Sequence, residues 1–272
     1  MTLIPTTIFN MLLLAIYMLA CLPSISAHGR VTNITTSSGT VYSGWDPESA
    51  FLPTLPPPLA AWRASNLGNI YVPPSRFNTS DITCHFDATP GALSINVTAG
   101  DTLKLQWNEW PTSHVGPVMT YLAACNGSCS VVEKDKLEWV KIDELGWLND
   151  TGWDGLMLGG MWASNVLIQN DFQWTVGIPD GLVEGDYVIR HEIIALHVAE
   201  KVDGAQAYPQ CINVRVVKGG EKRIEGAVLG TELYRMRDRG MLVDVHEHID
   251  GYEIPGPSVW RGAAEVRQPN EG

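Results

Sequence analysis

Between residues 93 and 217 the chain is cut into short runs by turn-forming residues, and this punctuation most constrains its fold. Runs at 93–97, 102–107, 118–122, 139–142, 173–178, 186–195 and 212–217 are rich in β-branched and aromatic residues. Pro90-Gly91 precedes them, and Ala99-Gly100-Asp101, Pro179-Asp180-Gly181 and Glu184-Gly185-Asp186 punctuate them. β-Branched and aromatic side chains suit a pleated, half-buried surface, while Gly, Pro and Asp supply turn conformations. Short strands so separated predict an all-β, immunoglobulin- or fibronectin-like antiparallel sandwich with long surface loops and few short helices. No long amphipathic helix pattern and no internal repeat competes with it.

Within this pattern the stretch RHEIIALHVAEKVDGAQAYPQC, residues 190–211, carries the most chemistry. Its first half alternates, so His191, Ile193, Ala195 and His197 share one strand face and Glu192, Ile194 and Leu196 the other. After a Gly-containing turn, Gln206 and Tyr208 share a face at i, i+2. Two facing strands bring His197, Gln206 and Tyr208 together. Residues 42–74 read as a long ordered loop, because Trp45, Phe51, Trp62 and Tyr71 are interspersed among prolines. Residues 266–272 read as a short frayed end.

Residues 1–27 carry no charge, contain an apolar run at 11–22 and end in Ser26-Ala27, a pattern that predicts a secretory signal peptide. The run is too short for a comfortable membrane span. Cleavage after Ala27 leaves 272 − 27 = 245 residues starting at His28, a length that suits one domain. Cys84, Cys125, Cys129 and Cys211 remain, and an even number in a secreted chain implies disulfides, with three pairings open. Cys125 and Cys129 are close enough to pair locally; Cys84 with Cys211 would then close a loop of about 127 residues, worth roughly 5 kcal/mol. A CxxxC zinc site is the weaker alternative, since the other two cysteines are single and far apart. Sequons at Asn33, Asn78, Asn96, Asn126 and Asn149 are expected glycosylation positions on the surface. The formal charge of −12 argues against a polyanion such as nucleic acid and is compatible with a neutral polysaccharide. No apolar C-terminal tail suggests a lipid anchor, so no membrane association is expected.

An N-terminal His28 presents its α-amino nitrogen and ring Nδ1 together, a chelate for one metal ion. A further imidazole gives three nitrogens in a plane, which suits Cu(II) better than tetrahedral zinc. His114, in the turn of WPTSHVGPVMTYLAAC, is one source; His85, His246 and His248 compete, and spacing does not choose among them. HEIIA at His191 begins like a zincin helix but has Ala195 where the second histidine belongs. There is no G-x-S-x-G, P-loop or G-x-G-x-x-G, and nothing singles out a catalytic carboxylate pair among 30 acids.

The ordered segments HGRVTNI, DITCHFDATPGAL, AGDTLKLQWNEWPTSHVGPVMTYLAAC, WVKIDELG, WASNVLIQN, WTVGIPDGLVEGDYVIRHEIIALHVA, DGAQAYPQCINVRV, GTELYRMRDRGMLVDVHE and YEIPGP closely resemble the fungal lytic polysaccharide monooxygenases of auxiliary-activity family nine. The resemblance spans nearly the whole chain after residue 27. It implies a copper histidine brace of His28 and His114, with Tyr208 as axial ligand and His197 and Gln206 hydrogen-bonding oxygen species beside the metal. It also implies Cys84–Cys211 and Cys125–Cys129 disulfides, and Tyr252 and Phe51 as aromatics of a flat substrate face. On this reading His85, His191, His246 and His248 take structural or surface roles. Val115 stands where the family commonly has a second histidine, Ala207 replaces a larger residue, and the loop before Trp62 matches poorly.

The implied activity is oxidative cleavage of β-1,4-glucan, cellulose or a hemicellulose such as xyloglucan, by C1 or C4 hydroxylation. It implies one copper per chain, dioxygen or hydrogen peroxide as co-substrate, and an external small-molecule or protein electron donor. The implied protein is a secreted monomer acting on an insoluble polymer. A non-catalytic copper- or polysaccharide-binding sandwich and an endoglucanase are the alternatives, and the products distinguish them.

Overall fold

The computed structural model describes residues 29–54, 56–151 and 158–271. The expected signal segment and His28 lie outside these residues. Two sheets face each other. The smaller is built from β1 (Val31–Thr36), β2 (Val41–Ser43), β4 (Thr102–Trp107) and β9 (Gln173–Gly177), in the order β2–β1–β4–β9. The larger is built from β3 (Ile95–Thr98), β5 (Val118–Ala124), β6 (Glu138–Leu145), β10 (Gly185–Ala195), β12 (Gln210–Lys218) and β13 (Val228–Leu229), in the order β13–β6–β5–β10–β12–β3. A two-residue strand, β11 (Gln206–Ala207), pairs with the end of β10. β7 (Trp147–Asn149) and β8 (Met161–Trp162) form a separate ribbon. Pairing is antiparallel except between β12 and β3, which run parallel. Helices are short: α1 (Asp81–Cys84) and α2 (Ala163–Gln169). The expected sandwich is therefore the observed one.

One apolar cluster fills the space between the sheets, with Ile34, Leu103, Leu105, Trp107, Ile189, Ile193, Trp174 and Ile212 among its members. A second cluster lies on the outer face of the large sheet, where Val188, Ile194 and Leu196 pack against Trp62, Val72, Phe77, Leu233 and Val245. The alternation along β10 is thus real, but both of its faces are dry. Its second face is covered by the 60–88 and 233–245 segments instead of by water. Burying that much apolar surface is the main stabilising term, at roughly 25 cal/mol per Å².

The long loop between β2 and β3 is ordered for the reason the sequence suggested. Trp45 and Trp62 are buried, and Trp62 Nε1 donates to Asn213 Oδ1 at 2.6 Å. Isolated bridges Ala61↔Ile212 and Val72↔Ala207 tie it to the large sheet. Both disulfides form, Cys84–Cys211 across 127 residues and Cys125–Cys129 across four, which removes the zinc alternative. The C-terminal segment is not frayed through residue 271. Gln268 is buried, and its side-chain amide makes both strand-like bonds to the backbone of Thr175, at 2.9 and 2.8 Å. An open edge, that of β9, is satisfied by a side chain that mimics a peptide.

Candidate active site

His114 lies in the turn leading into β5, where its N–H bonds Pro111 O at 3.0 Å and its own carbonyl accepts Trp110 Nε1 at 2.8 Å. Gly116, two residues on, fixes where this turn can go. A Cβ on Gly116 would lie 1.9 Å from Ile194 O, so only glycine allows the loop to approach β10 so closely. Ile194 N donates to Pro117 O at 3.1 Å and Leu196 N to Val115 O at 2.8 Å. The two chains are stitched side by side, and the next residue along the second is His197. The His114 and His197 rings consequently stack at 3.8 Å between centroids, 33° apart.

The expectation that His197 stands on a strand is corrected. β10 ends at Ala195, and His197 begins a turn, half-buried. Gln206 and Tyr208 do come in on the neighbouring strand: Ala195 faces Gln206, Ile194 faces Ala207, and Tyr208 N bonds Ile193 O at 3.0 Å. Their shared face is confirmed by Tyr208 Oη donating to Gln206 Oε1 at 2.7 Å. Both side chains are buried. Burial, with the neighbouring Tyr71 phenol adding to it, pushes the Tyr208 hydroxyl far above its ordinary range, so it is a neutral donor.

Trp110 joins these groups. Its indole meets the Tyr208 ring edge-on at 5.2 Å and the His114 ring at 6.1 Å. Trp107 meets Trp110 at 5.6 Å in turn. Sequence reasoning quoted Trp110 within a motif but gave it no role; no periodicity marks a loop tryptophan as the back wall of a site.

The start of β1 is pinned beside this wall. A Cβ on Gly29 would overlap Glu109 O, at 1.8 Å. Arg30 N donates to Asn108 Oδ1 at 2.7 Å, Asn108 N returns to Arg30 O at 3.0 Å, and Val31 N donates to Gln210 Oε1 at 2.7 Å. The backbone entering from residue 28 is therefore held against the 107–110 segment, the one that leads into His114.

Of the remaining histidines, His191 and His85 are buried. His191 is fully buried between the sheets, taking Trp107 Nε1 at 3.2 Å on Nε2 and bonding Thr120 Oγ1 at 2.9 Å through Nδ1. Burial, then the Arg190 charge, lowers its pKa to about 3, so it is neutral. Burial lowers that of His85 to about 4, and its Nδ1 accepts Phe86 N at 2.9 Å. Glu192 of HEIIA is fully buried and held by both Arg190 terminal nitrogens, so it is no general base. Of the two aromatics assigned to substrate, Phe51 is 75% exposed at the end of a 3-10 turn, Pro47–Phe51. Tyr252 is half-buried, its hydroxyl donating to Gly240 O at 2.7 Å and its ring edge-on to Trp162 at 4.8 Å. Asn33, Asn78, Asn96, Asn126 and Asn149 are all exposed.

Auxiliary Activity family 9, formerly GH61, matches residues 28–252. The chain belongs to this family. It is 47% identical over 248 residues, 90% of this chain and 73% of the relative, to AA9 family lytic polysaccharide monooxygenase A of Talaromyces verruculosus. It is 46% identical over 237 residues, 86% of this chain and 100% of the relative, to AA9 family lytic polysaccharide monooxygenase A of Thermoascus aurantiacus. Among solved structures, the extended catalytic domain of H. jecorina LPMO9A superposes with a TM-score of 0.82 at 42% identity, covering 89% of this chain and 94% of that one. The protein is accordingly a lytic polysaccharide monooxygenase, an oxidoreductase that breaks down polysaccharide.

Proposed function

We propose that the enzyme is secreted, with residues 1–27 removed and 28–272 forming one catalytic domain, and that it cleaves cellulose oxidatively at one copper ion. The family match begins at residue 28, in keeping with a functional chain that starts there. His28, through its amine and ring, and His114 would hold the metal, with Tyr208 beside it. Two observations test that fit. Among the described residues no three His, Cys, Asp or Glu side chains converge as a metal site, which is compatible with a centre completed by His28. Gly29, locked against Glu109, holds the chain to the 107–110 segment, from which His28 would reach His114. Imidazole and amine nitrogens with one weak oxygen suit copper.

The stacked His114–His197 pair beside the buried Tyr208–Gln206 pair carries the reading. His114 Nδ1 lies 3.1 Å from Ser113 Oγ, so Nε2 would be the nitrogen offered to the metal. When bound, copper would supply one-electron chemistry, with an external donor and dioxygen or hydrogen peroxide as co-substrate, for hydroxylation at C1 or C4 of the glucan. His197 and Gln206 would orient the oxygen species by hydrogen bonding. Tyr208, a neutral phenol walled by Trp110 and Tyr71, would exclude water from that side of the site. Phe51 and Tyr252 would meet the polymer, which is cellulose or a related β-1,4-glucan such as xyloglucan. The enzyme would act as a monomer.

The deciding experiment is mass spectrometry of products from cellulose, with copper and ascorbate present or withheld. Aldonic or gem-diol-ended oligosaccharides requiring both support the proposal. Plain reducing ends would point to hydrolysis, and no soluble product to a binding protein.

A further inference from the structure

His246 and His248 were competitors for the metal, and the site uses neither. His248 Nε2 bonds Asp250 Oδ1 at 2.9 Å on the surface. His246 is different: its Nε2 lies 2.9 Å from the backbone carbonyl of His197. A carbonyl only accepts, so His246 carries its proton on Nε2 and donates. We infer that His246 is a positioning residue that sets the orientation of the His197 imidazole through this bond. The inference deepens the proposed function, since it rests on the reading of His197 as the group that orients oxygen species.

His197 needs such a hold. It follows the last strand residue, Ala195, by two positions and begins a turn, so no sheet ladder fixes its peptide. Leu196 N, bonded to Val115 O, anchors the residue before it, and Ala199 N closes the turn on Leu196 O at 2.9 Å. The His197 peptide between them is held from outside, by the 241–248 loop. That loop makes two bonds to the turn: Val243 N to Ala199 O at 3.0 Å, and the His246 ring to His197 O. His246 is itself fixed, because its N–H donates to Asp244 Oδ1 at 2.9 Å. A relay of contacts therefore runs from Asp244 through His246 and the His197 peptide to the His197 ring, stacked on His114 at 3.8 Å. Rotation of one peptide swings its side chain by ångströms, and reacting groups tolerate errors well below 1 Å. His246 is exposed, so removing its ring opens no cavity in the core.

The test compares His246→Ala with His246→Gln, whose amide N–H reaches about the position of Nε2. In the copper-free protein, NMR resonances of the His197 ring should shift in His246→Ala and return in His246→Gln, with Tm changed by less than about 2 °C in both. In the copper-loaded enzyme, His246→Ala should lower kcat for oxidised product about tenfold. Copper affinity and KM for the glucan should stay unchanged, and His246→Gln should restore most of the rate. Unmoved His197 resonances in His246→Ala, or a Gln variant as impaired as Ala, would overturn the inference. If the wild-type enzyme itself gives no oxidised product, the proposed function fails, and the copper-free NMR comparison still decides whether His246 positions His197.

Discussion

The buried pair Arg190–Glu192 offers the sharpest test of how the large sheet is held. Both side chains are fully inaccessible to solvent. Arg190 Nη2 lies 2.9 Å from Glu192 Oε2, and Nη1 engages the other carboxylate oxygen. The guanidinium also donates to Thr83 O at 2.8 Å through Nε and to Ile82 O at 2.8 Å through Nη2. Tyr234 donates to the same carboxylate and accepts from the Tyr121 hydroxyl, so the pair joins α1, β10 and the 233–245 segment. Replacing Glu192 with Leu leaves the Arg190 charge facing two carbonyls and an apolar cluster. Breaking a buried pair in this way costs about 3–5 kcal/mol. For a domain of this size that is a fall in Tm of roughly 6–20 °C. Arg190→Met should cost a similar amount, for it strands a carboxylate. The double variant Arg190→Met/Glu192→Leu should be less unstable than either single one, because both desolvation costs vanish together. Urea or thermal unfolding of the four proteins measures the cycle. If Glu192→Leu costs under about 1 kcal/mol, or the two losses simply add, the pair is not the coupled element described.

Two further outcomes rest on local geometry. Gly29→Ala should weaken copper binding by at least tenfold in calorimetry while barely moving Tm, since the new Cβ, 1.8 Å from Glu109 O, must displace the chain at residue 28; unchanged affinity would remove the anchoring argument. Asp143, which accepts Trp174 Nε1 at 2.7 Å, has its pKa raised from 3.8 to about 7, chiefly by burial. The folded state thus holds this proton more tightly than the unfolded one, so its contribution is fully present below about pH 4 and is lost as pH rises towards 7. The loss is at most about 4 kcal/mol, and smaller because the side chain retains some solvent contact. Asp143→Asn should flatten the decline in Tm between pH 4.5 and 8, and parallel profiles for the two proteins would contradict the assignment.

Much of the sandwich was legible because a strand's period of two and its turn residues are local properties. Residues 102–107 are β4 as read, and the runs at 118–122, 139–142, 173–178, 186–195 and 212–217 each mark a strand to within a few residues. β1 and β2 were not recognised. VTNITT buries only Val31 and Ile34, and a register shift between Val31 and Asn33 breaks the alternation that would have announced it. The docked C-terminal segment escaped notice for a related reason: Gln268 satisfies the β9 edge through its side chain, and no sequence pattern signals that.

For the site, the sequence alone determined the chemical inventory: a histidine that becomes a chelate if it begins the chain, a loop imidazole, and an amide and phenol two residues apart on one strand face. Period two put Gln206 and Tyr208 together, and the structure has them bonded. It put His197 on the same footing, and there the extrapolation ran past Ala195, where the ladder stops. Spacing left His114 level with His85, His246 and His248, the resemblance favoured it, and only the tertiary structure shows its ring stacked on that of His197. That stacking comes from Gly116, whose missing Cβ lets one loop lie against the end of β10, and from bonds between residues about 80 apart in sequence. Local propensity cannot encode such contacts, because they exist only once β5 and β10, distant in sequence, have paired as neighbours in the large sheet.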